Sequence, residues 1–369
     1  MLEHILVWAR GATLENAYSR DRVVYRLLQQ SGIRLSAFSP LISALGDIET
    51  LVNRPPLVNA VWVPSFRQRD VAAAARFARR RGVPLIFDPL ISAYDKQVNE
   101  RKKFSPSSAA AARLLAQERA QFGLADIVIA DTEGHADYFH EVLGVLRDKI
   151  IVLPVGADQS VFGFQPARPL DKDRPVRVLF FGSFIGLHGV PTIIDAVRQY
   201  DGPPIDLHFI GAGPMRADAE HALTAMPART AIVSTCFEDW LDIHALASRI
   251  ADSDIVLGIF GTTGKALRVV PNKVYQALAV GRPVITGDTP AFGERFRTEF
   301  PSALAFVPPG NADALRAQLV NWATDRALLE RRGHHAHQLF SARFAEDPLR
   351  HQLVHDLYAI LQCMSQHTS

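Results

Sequence analysis

The sequence predicts an α/β protein built from two doubly wound parallel sheets. Short β-branched apolar runs alternate with helical stretches along the whole chain, which is the pattern of parallel βαβ units. A polar segment without periodicity, residues 162–174, divides these runs into two similar series. The chain has 369 residues, enough for two domains, and its hydrophobic content of 48% excludes a disordered protein.

The first series predicts five strands and four helices. The strands are residues 5–9, 60–64, 84–90, 126–131 and 150–155, and the helices are residues 16–31, 70–81, 108–122 and 135–143. The second series predicts strands at residues 176–181, 207–211, 231–235, 254–260, 283–286 and 303–307. From residue 311 the chain reads as helical, with an interruption near Pro348. The predicted domains are residues 1–165 and 172–342, followed by a C-terminal helix at residues 343–369.

Charge and cysteine content narrow the functional class. The net charge of +2 gives a weak overall field and does not indicate nucleic acid as a partner. Two distant cysteines, Cys236 and Cys363, indicate a reducing compartment and neither a disulfide framework nor a zinc site. The N-terminus reads as a first strand rather than a signal peptide, and no run approaches a membrane span. We therefore expect a cytoplasmic protein, with peripheral attachment at the inner face of a membrane left open.

The strongest functional signal is residues 254–289, which predict a strand, a cationic loop, a helix and a strand. Lys265 and Arg268 lie in the loop, and Asn272 and Lys273 are predicted as the N-cap and first residue of the helix. A lysine there opposes the helix dipole unless an anion balances it, so we predict a phosphate or diphosphate site. An exposed, solvated lysine is the alternative. Gln276 either faces a ribose or is a polar surface residue.

Two glycine-containing turns follow strands of the second series. Gly182, Ser183 and His188 follow its first strand, and Gly211 and Gly213 follow its second. Glycines allow close backbone approach to a ligand, but a tight strand-to-helix turn needs them equally. His188 is a candidate ligand contact, with packing or capping as the alternative. Arginine at position 216 replaces the third glycine of a dinucleotide fingerprint, so a nicotinamide cofactor is not predicted.

Polar residues also follow strands of the first series, where ligands of doubly wound sheets bind. Asp88 ends an apolar strand and either holds an acceptor hydroxyl or simply terminates the strand. The other acceptor-side candidates are Arg10, Gly11, Tyr94 and Asp95. Basic residues cluster in this half, which favours either a solvated face or contact with an anionic membrane. They are Arg67, Arg69, Arg76, Arg79, Arg80, Arg81, Arg101, Lys102 and Lys103.

The order and spacing of these motifs resemble the retaining nucleotide-sugar glycosyltransferases of family 4, which have the GT-B architecture. The resemblance rests on residues 125–132, 153–162, 181–190, 210–214, 271–284 and 307–311. It implies two facing Rossmann-like domains, with the donor bound mainly to the second and the acceptor to the first. It also implies a C-terminal helix that returns to the first domain. Transfer would retain the anomeric configuration without a metal or other cofactor, and the leaving diphosphate would help to deprotonate the acceptor.

The chain departs from this family at the donor site. Many members have an arginine where Ser183 stands and a lysine where His188 stands, and both contact the diphosphate. Many also have two glutamates where this chain has Arg268 and Gln276, and a neutral glutamine forms weaker hydrogen bonds to ribose. We hypothesise that Lys265 and Arg268 supply the missing cations.

The resemblance implies a hexosyltransferase that uses a nucleoside-diphosphate sugar, UDP- or GDP-linked, in glycan or glycoconjugate biosynthesis. The acceptor would be a saccharide, a lipid-linked molecule or a small molecule, and the expected catalytic residues are Lys265, Arg268 and Asp88. Two alternatives stay open. One is a catalytically degenerate GT-B protein that binds a nucleotide sugar or a partner, and the other is a GT-B sugar epimerase.

Overall fold

Both halves of the chain fold around a parallel sheet. The structure is a computed structural model that describes residues 2–11, 13–168, 174–227, 231–293, 295–298 and 302–367. The chain divides into two compact units, Met1–Gly156 with Glu346–Ser369, and Ala157–Ala345. The predicted linker at 162–174 includes residues 169–173, which lie outside the described residues.

The first unit contains a six-stranded parallel sheet in the spatial order β2-β1-β3-β4-β5-β6. The strands are β1 (His4–Trp8), β2 (Arg34–Phe38), β3 (Ala60–Val63), β4 (Leu85–Phe87), β5 (Ile127–Ala130) and β6 (Ile150–Val152). The helices are α1 (Ser19–Gln30), α2 (Gly46–Asn53), α3 (Val71–Arg81), α4 (Ala109–Phe122) and α5 (Glu133–Glu141). Every residue of β3 and β5 is buried, because helices cover both faces of the sheet.

The second unit contains another six-stranded parallel sheet, in the order β12-β11-β10-β7-β8-β9. Its strands are β7 (Val176–Phe181), β8 (Ile205–Ile210), β9 (Ile232–Glu238), β10 (Ile255–Leu257), β11 (Val284–Gly287) and β12 (Leu304–Val307). Its helices are α6 (Val190–Arg198), α7 (Arg216–Thr224), α8 (Ile243–Asp252), α9 (Asn272–Val280), α10 (Arg295–Thr298), α11 (Ala312–Thr324) and α12 (Arg326–Arg343). The strand order reverses between β7 and β10, and ligands of doubly wound sheets bind beyond the carboxyl ends of strands at such a switch point.

A last helix, α13 (Glu346–His367), packs against α1 of the first unit. Leu349, Leu353 and Leu357 join the core of that unit, and Arg26 forms a 2.5 Å ion pair with Glu346. Two α/β units, each with a parallel sheet, and a C-terminal helix that packs on the first unit confirm the predicted fold class.

Three elements differ from the sequence-based expectation. Strand β2 and helix α2 were not predicted, because β2 is an edge strand with mostly part-exposed residues and lacks a continuous apolar run. The helical C-terminal region is interrupted between Arg343 and Glu346, so Pro348 lies in the first turn of α13, where proline is tolerated. Within the described residues, no helix has the length and apolar character needed to span a bilayer.

Candidate functional site

The loop after β10 enters α9 through Pro271, which takes an extended conformation with φ −71° and ψ 150°. This corrects the predicted N-cap. Pro271 holds that position and no side chain caps the helix, so Asn272 and Lys273 are the first two helical residues. The proline explains the shift, because its fixed φ suits the residue that precedes the helix. The first turn of α9 therefore offers backbone N–H groups that no side-chain cap satisfies.

Lys273 is a buried cation without a carboxylate partner among the described residues. Its side chain is almost enclosed, with the residue only 4% exposed. Its Nζ lies 3.3 Å from the carbonyl oxygen of Gly258, to which it donates, and 4.0 Å from the centre of the Phe180 ring. A carbonyl and an aromatic face offset only part of the cost of burying an ammonium group. Burial therefore lowers the pKa of Lys273 well below its ordinary value.

The turn after β7 brings two further predicted residues to this lysine. A Cβ atom on Gly182, whose φ is 135°, would lie 3.2 Å from Lys273 Nζ and 2.9 Å from His188 Cε1, so only glycine fits there. The sequence-predicted residues Gly182, His188 and Lys273 therefore meet at the carboxyl ends of β7 and β10, the switch point of the sheet.

His188 is held neutral by its surroundings. Burial is the main cause, and the nearby charges of Lys273 and Lys265 act in the same direction, so the pKa of His188 falls to about 2. Its Nδ1 atom is buried and lacks a hydrogen-bond partner in the described part of the protein. Buried polar atoms are normally paired, so this nitrogen is a candidate contact for a ligand.

The turn after β8 has a structural reason for its glycines. A Cβ atom on Gly211 would overlap the carbonyl oxygen of Gly182, and one on Gly213 would lie 2.6 Å from the amide nitrogen of Phe184. The amide of Phe184 in turn donates to the carbonyl of Ala212 at 3.0 Å. Gly211 and Gly213 thus let the β8 turn pack directly on the β7 turn, and their proposed contact with a donor stays a prediction.

The other predicted donor residues lie on the same unit. Lys265 is buried, whereas Ser183, Arg268 and Gln276 are half-buried. The loop that carries the two cations is anchored by Ala266 and Val269, which pack with Ile259 and Leu187 in a small apolar cluster. The loop is therefore a packed element of the unit, and the individual roles of these four residues stay predictions.

Asp88, at the end of β4 in the first unit, belongs to a buried ion pair. Its Oδ2 lies 3.2 Å from Nε of Arg20, and both residues are essentially inaccessible. Burial raises the pKa of Asp88 to about 6; Arg20 opposes this shift, and Asp21 and Asp131 add to it. Arg20 also donates to the carbonyl oxygen of Pro154 at 2.5 Å. The carboxylate is thus already bound by the protein, and its predicted acceptor role is untested.

The remaining acceptor-side candidates lie at separate places. Arg10 and Gly11 are exposed beyond β1, and their amides donate to Asp70 Oδ2 at 3.0 Å and Ser39 Oγ at 2.8 Å. Tyr94 is half-buried and Asp95 is buried. Their turn is fixed by another carboxylate: Glu118 of α4 accepts from the amides of residues 93 and 94 at 2.5 and 2.8 Å.

Sequence reasoning missed most of the polar network around Asp88. Asp21 accepts from the amide and hydroxyl of Ser65 at 3.1 and 2.7 Å, and His135 contacts Asp131 one helical turn away. The available signal was the position of Ser65 and Asp131 directly after strands. Their partners on α1 and α5 could not be assigned without the packing of those helices on the sheet.

A further group of potential ligands lies on β8 and β9. One nitrogen of His208, the sulfur of Cys236 and a carboxylate oxygen of Glu238 lie within 4.8 Å of one another. Glu238 also accepts from Arg249, through Nε at 2.8 Å and Nη2 at 3.1 Å. The sequence did not reveal this group, because register between neighbouring strands brings it together.

Solved structures with the same architecture cover nearly the whole chain. Sucrose-phosphate synthase from Thermosynechococcus elongatus aligns over 98% of this chain and 100% of its own, with a TM-score of 0.72 and 16% identity. The HepE protein of Anabaena in complex with UDP aligns over 96% and 100%, with a TM-score of 0.68 and 14% identity. At these identities the likeness establishes the fold.

Family profiles add sequence-level support. The profile of the glycosyl transferase 4-like domain matches residues 4–156, and that of the glycosyl transferases group 1 matches residues 175–325. The chain belongs to the GT-B glycosyltransferases. A search of curated protein sequences gives no match. In this GT-B glycosyltransferase, the second profile covers the whole constellation of Gly182, His188, Lys265 and Lys273.

Proposed function

We propose that this GT-B glycosyltransferase transfers a hexose from a nucleoside-diphosphate sugar to an acceptor hydroxyl, with retention of configuration as in family 4. The observation that carries the proposal is Lys273: a buried ammonium at the N-terminal turn of α9, at the switch point of the sheet, with no described carboxylate to balance it. A diphosphate supplies the missing negative charge and is favoured by the positive end of the dipole of the same helix.

The residues around Lys273 suit a leaving diphosphate. In the proposed reaction the acceptor oxygen bonds to the anomeric carbon while the bond from that carbon to the phosphate oxygen breaks. The electron pair leaves with the diphosphate, and the acceptor proton passes to a departing phosphate oxygen. Lys273, Lys265 and Arg268 stabilise the charge that develops there, which is the form of catalysis that positioned cations provide in a water-poor site. No metal is required in this scheme.

The structure sharpens the hypothesis about missing cations. Many family members have a lysine in place of His188, and in this chain Lys273 lies close to that histidine and to Gly182. We propose that Lys273 substitutes for that lysine, together with Lys265 and Arg268. Nδ1 of the neutral His188, which has no described partner, then forms a hydrogen bond with an oxygen of the nucleotide sugar, and Gln276 contacts the ribose.

The proposal also covers the donor base and the acceptor. HepE was solved in complexes with UDP and with UDP-glucose, so a uridine nucleotide is the first donor to test. On the acceptor side we propose Arg10, Gly11, Asp88, Tyr94 and Asp95. A saccharide, lipid-linked or small-molecule acceptor fits the chemistry. For a lipid-linked acceptor, the basic residues between 67 and 81 and between 101 and 103 would contact an anionic membrane.

A thermal-shift screen of UDP, GDP and ADP and their hexose conjugates tests the donor site. One nucleotide should raise the melting temperature by mass action, in proportion to the logarithm of its concentration above its Kd. NMR of the anomeric proton then follows donor consumption with candidate acceptors. Transfer with retained configuration supports the proposal. Binding without turnover supports the degenerate protein, and inversion at a ring carbon supports the epimerase. No nucleotide binding contradicts the transferase and the epimerase and leaves only a degenerate protein that binds a partner.

A further inference from the structure

Helix α2 in the first unit is turned the opposite way from an ordinary surface helix. Its buried residues are Gly46, Asp47 and Thr50. Its large apolar residues point outward instead: Ile48 is 56% exposed, Leu51 68% and Val52 83%. Surface helices normally bury their apolar side, so this orientation leaves an unpartnered apolar face on the outside of the protein.

The exposed face extends beyond the helix. We call it the apolar stripe; it consists of Leu41, Ile42, Leu45, Ile48, Leu51, Val52 and Leu57. On α2 the spacings of three and four residues keep Ile48, Leu51 and Val52 on one side of the helix, and the other four residues are exposed in the segments on either side of it. These seven are more than half of the thirteen large hydrophobic side chains exposed in the described part of the chain. Such clustering marks a contact surface rather than scattered exposure.

The polar side of α2 is fixed to α3, so the orientation is built into the fold. Asp47 accepts from Arg76 at 2.6 Å and from Arg80 at 2.8 Å. These bonds lower the pKa of Asp47 to about 2. Glu49 caps the preceding turn by accepting from the amides of Leu41 and Ile42 at 2.8 and 2.9 Å. Rotating the stripe inward would break all of these bonds.

Positive charge borders the stripe. Arg76 and Arg80, which hold Asp47, keep about half of their side chains exposed. Arg54, at the end of α2, and Arg79 and Arg81, in the last turn of α3, are exposed as well. Residues 41–57 and 67–81 together carry seven arginines against three acidic residues, a net charge of +4. A second copy of this chain seated on the same face would bring two basic rims together, whereas an anionic surface would be attracted.

We propose that the apolar stripe inserts into the interfacial region of an anionic lipid membrane, with the flanking arginines on the headgroups. An amphipathic segment of this kind lies in the membrane plane, its apolar side chains about 5–10 Å into the headgroup boundary. The inference deepens the membrane contact in the proposed function, because it names the segment that enters the lipid. Basic residues alone would give only an electrostatic attachment, which salt removes.

Vesicle co-sedimentation of the full chain tests the inference. Vesicles of phosphatidylcholine alone are compared with vesicles containing about one third phosphatidylglycerol. The stripe variant is Ile48→Gln/Leu51→Gln/Val52→Gln, and the rim variant is Arg79→Gln/Arg81→Gln. The matched control, Leu146→Gln/Val233→Gln, alters exposed apolar residues elsewhere. Circular dichroism and melting temperature check that each variant folds.

The wild-type protein and the control should bind the anionic vesicles, and the stripe variant should bind at least about tenfold more weakly. The rim variant should lose affinity chiefly at low salt. Equal binding by the wild type and the stripe variant overturns the inference, as does no binding by the wild type. A concentration-dependent dimer that the stripe variant abolishes also overturns it. UDP binding measured on the same samples separates the two claims, because vesicle binding without nucleotide binding keeps this inference and contradicts the proposed function.

Discussion

The two sheets each place a buried cation near the carboxyl ends of their strands, and the two cations are balanced differently. In the first unit, Arg20 is paired with Asp88 and hydrogen-bonded to the backbone at Pro154. In the second unit, Lys273 has a carbonyl oxygen and aromatic rings around it and no described carboxylate. The first charge is balanced by a carboxylate of the protein, and the second is balanced by no described carboxylate.

This difference predicts a structural role for Arg20 and a functional role for Lys273. Removing one partner of a buried ion pair leaves an isolated charge, which costs folding free energy. Removing an unbalanced buried cation relieves a desolvation cost that its carbonyl and aromatic contacts offset only in part, and it takes away the attraction for an external anion. The comparison therefore predicts that Arg20 matters for stability and Lys273 for ligand binding. Because Asp88 is the partner of Arg20, a test of its predicted catalytic role must distinguish catalysis from stabilisation of the fold.

The largest expected effect is on stability, from Arg20→Leu. This change isolates the Asp88 carboxylate in the core, and we expect the free energy of unfolding to fall by about 3–5 kcal/mol. Urea unfolding followed by circular dichroism measures it. Arg34→Leu, at an exposed arginine of β2, is the control and should change stability little. Equal stability of the two variants would contradict the structural role of Arg20.

The next effect is on donor binding, from neutralising Lys265 and Arg268 together by methionine and glutamine. Each charge-assisted hydrogen bond to the diphosphate contributes about 1.5–3 kcal/mol, so the Kd for the donor should rise at least tenfold. Isothermal titration calorimetry measures the Kd, and turnover should fall at least as much. Unchanged binding and turnover would show that this loop does not carry the diphosphate.

Lowering the pH from 7.5 to 5 should reduce the free energy of unfolding by about 2 kcal/mol through His188. Its pKa is about 2 in the folded protein and near 6.5 when unfolded, so below pH 6.5 only the unfolded chain gains the proton. The contribution of the neutral His188 to the free energy of unfolding is therefore fully present above pH 6.5 and is lost as the pH falls. The wild-type protein should lose about 2 kcal/mol more than His188→Asn over this interval. If calorimetry shows that the wild-type protein and His188→Asn lose the same free energy of unfolding, the imidazole is not held neutral.

The smallest effect is expected at Gln276. As a neutral partner of ribose hydroxyls it should contribute about 0.5–1.5 kcal/mol, so Gln276→Ala should weaken UDP binding by less than about fifteenfold. Gln276→Glu, which restores the residue common in the family, should strengthen it. Comparing UDP with ribose-free pyrophosphate isolates the ribose contact. If both variants bind UDP as the wild type does, Gln276 is a surface residue.

Much of the fold was predictable, because buried parallel strands are continuous apolar runs. β2 and α2 escaped prediction for a shared reason. Their residues are exposed in patterns that resemble neither a buried strand nor a helix with an inward apolar side. The N-cap of α9 was wrong by one residue, since Pro271 rather than Asn272 sets the entry to the helix.

For the candidate site, the sequence placed the candidate loops directly after strands but could not rank their residues. The closeness of Lys273 to His188 depends on β10 lying beside β7, and the two strands are far apart in the chain. The burial of Asp88 likewise depends on Arg20, 68 residues away. Long-range packing decides which charges are balanced, and a motif does not contain that information.

The most direct test of the central claim is UDP binding by Lys273→Met, measured by calorimetry beside the free energy of unfolding. Lys149→Met, at a half-buried lysine of the first unit, is the control. The account predicts that Lys273→Met binds UDP at least tenfold more weakly than the wild type while its stability is unchanged or higher. Wild-type affinity for UDP in this variant, or a loss of stability as large as that of Arg20→Leu, would contradict it.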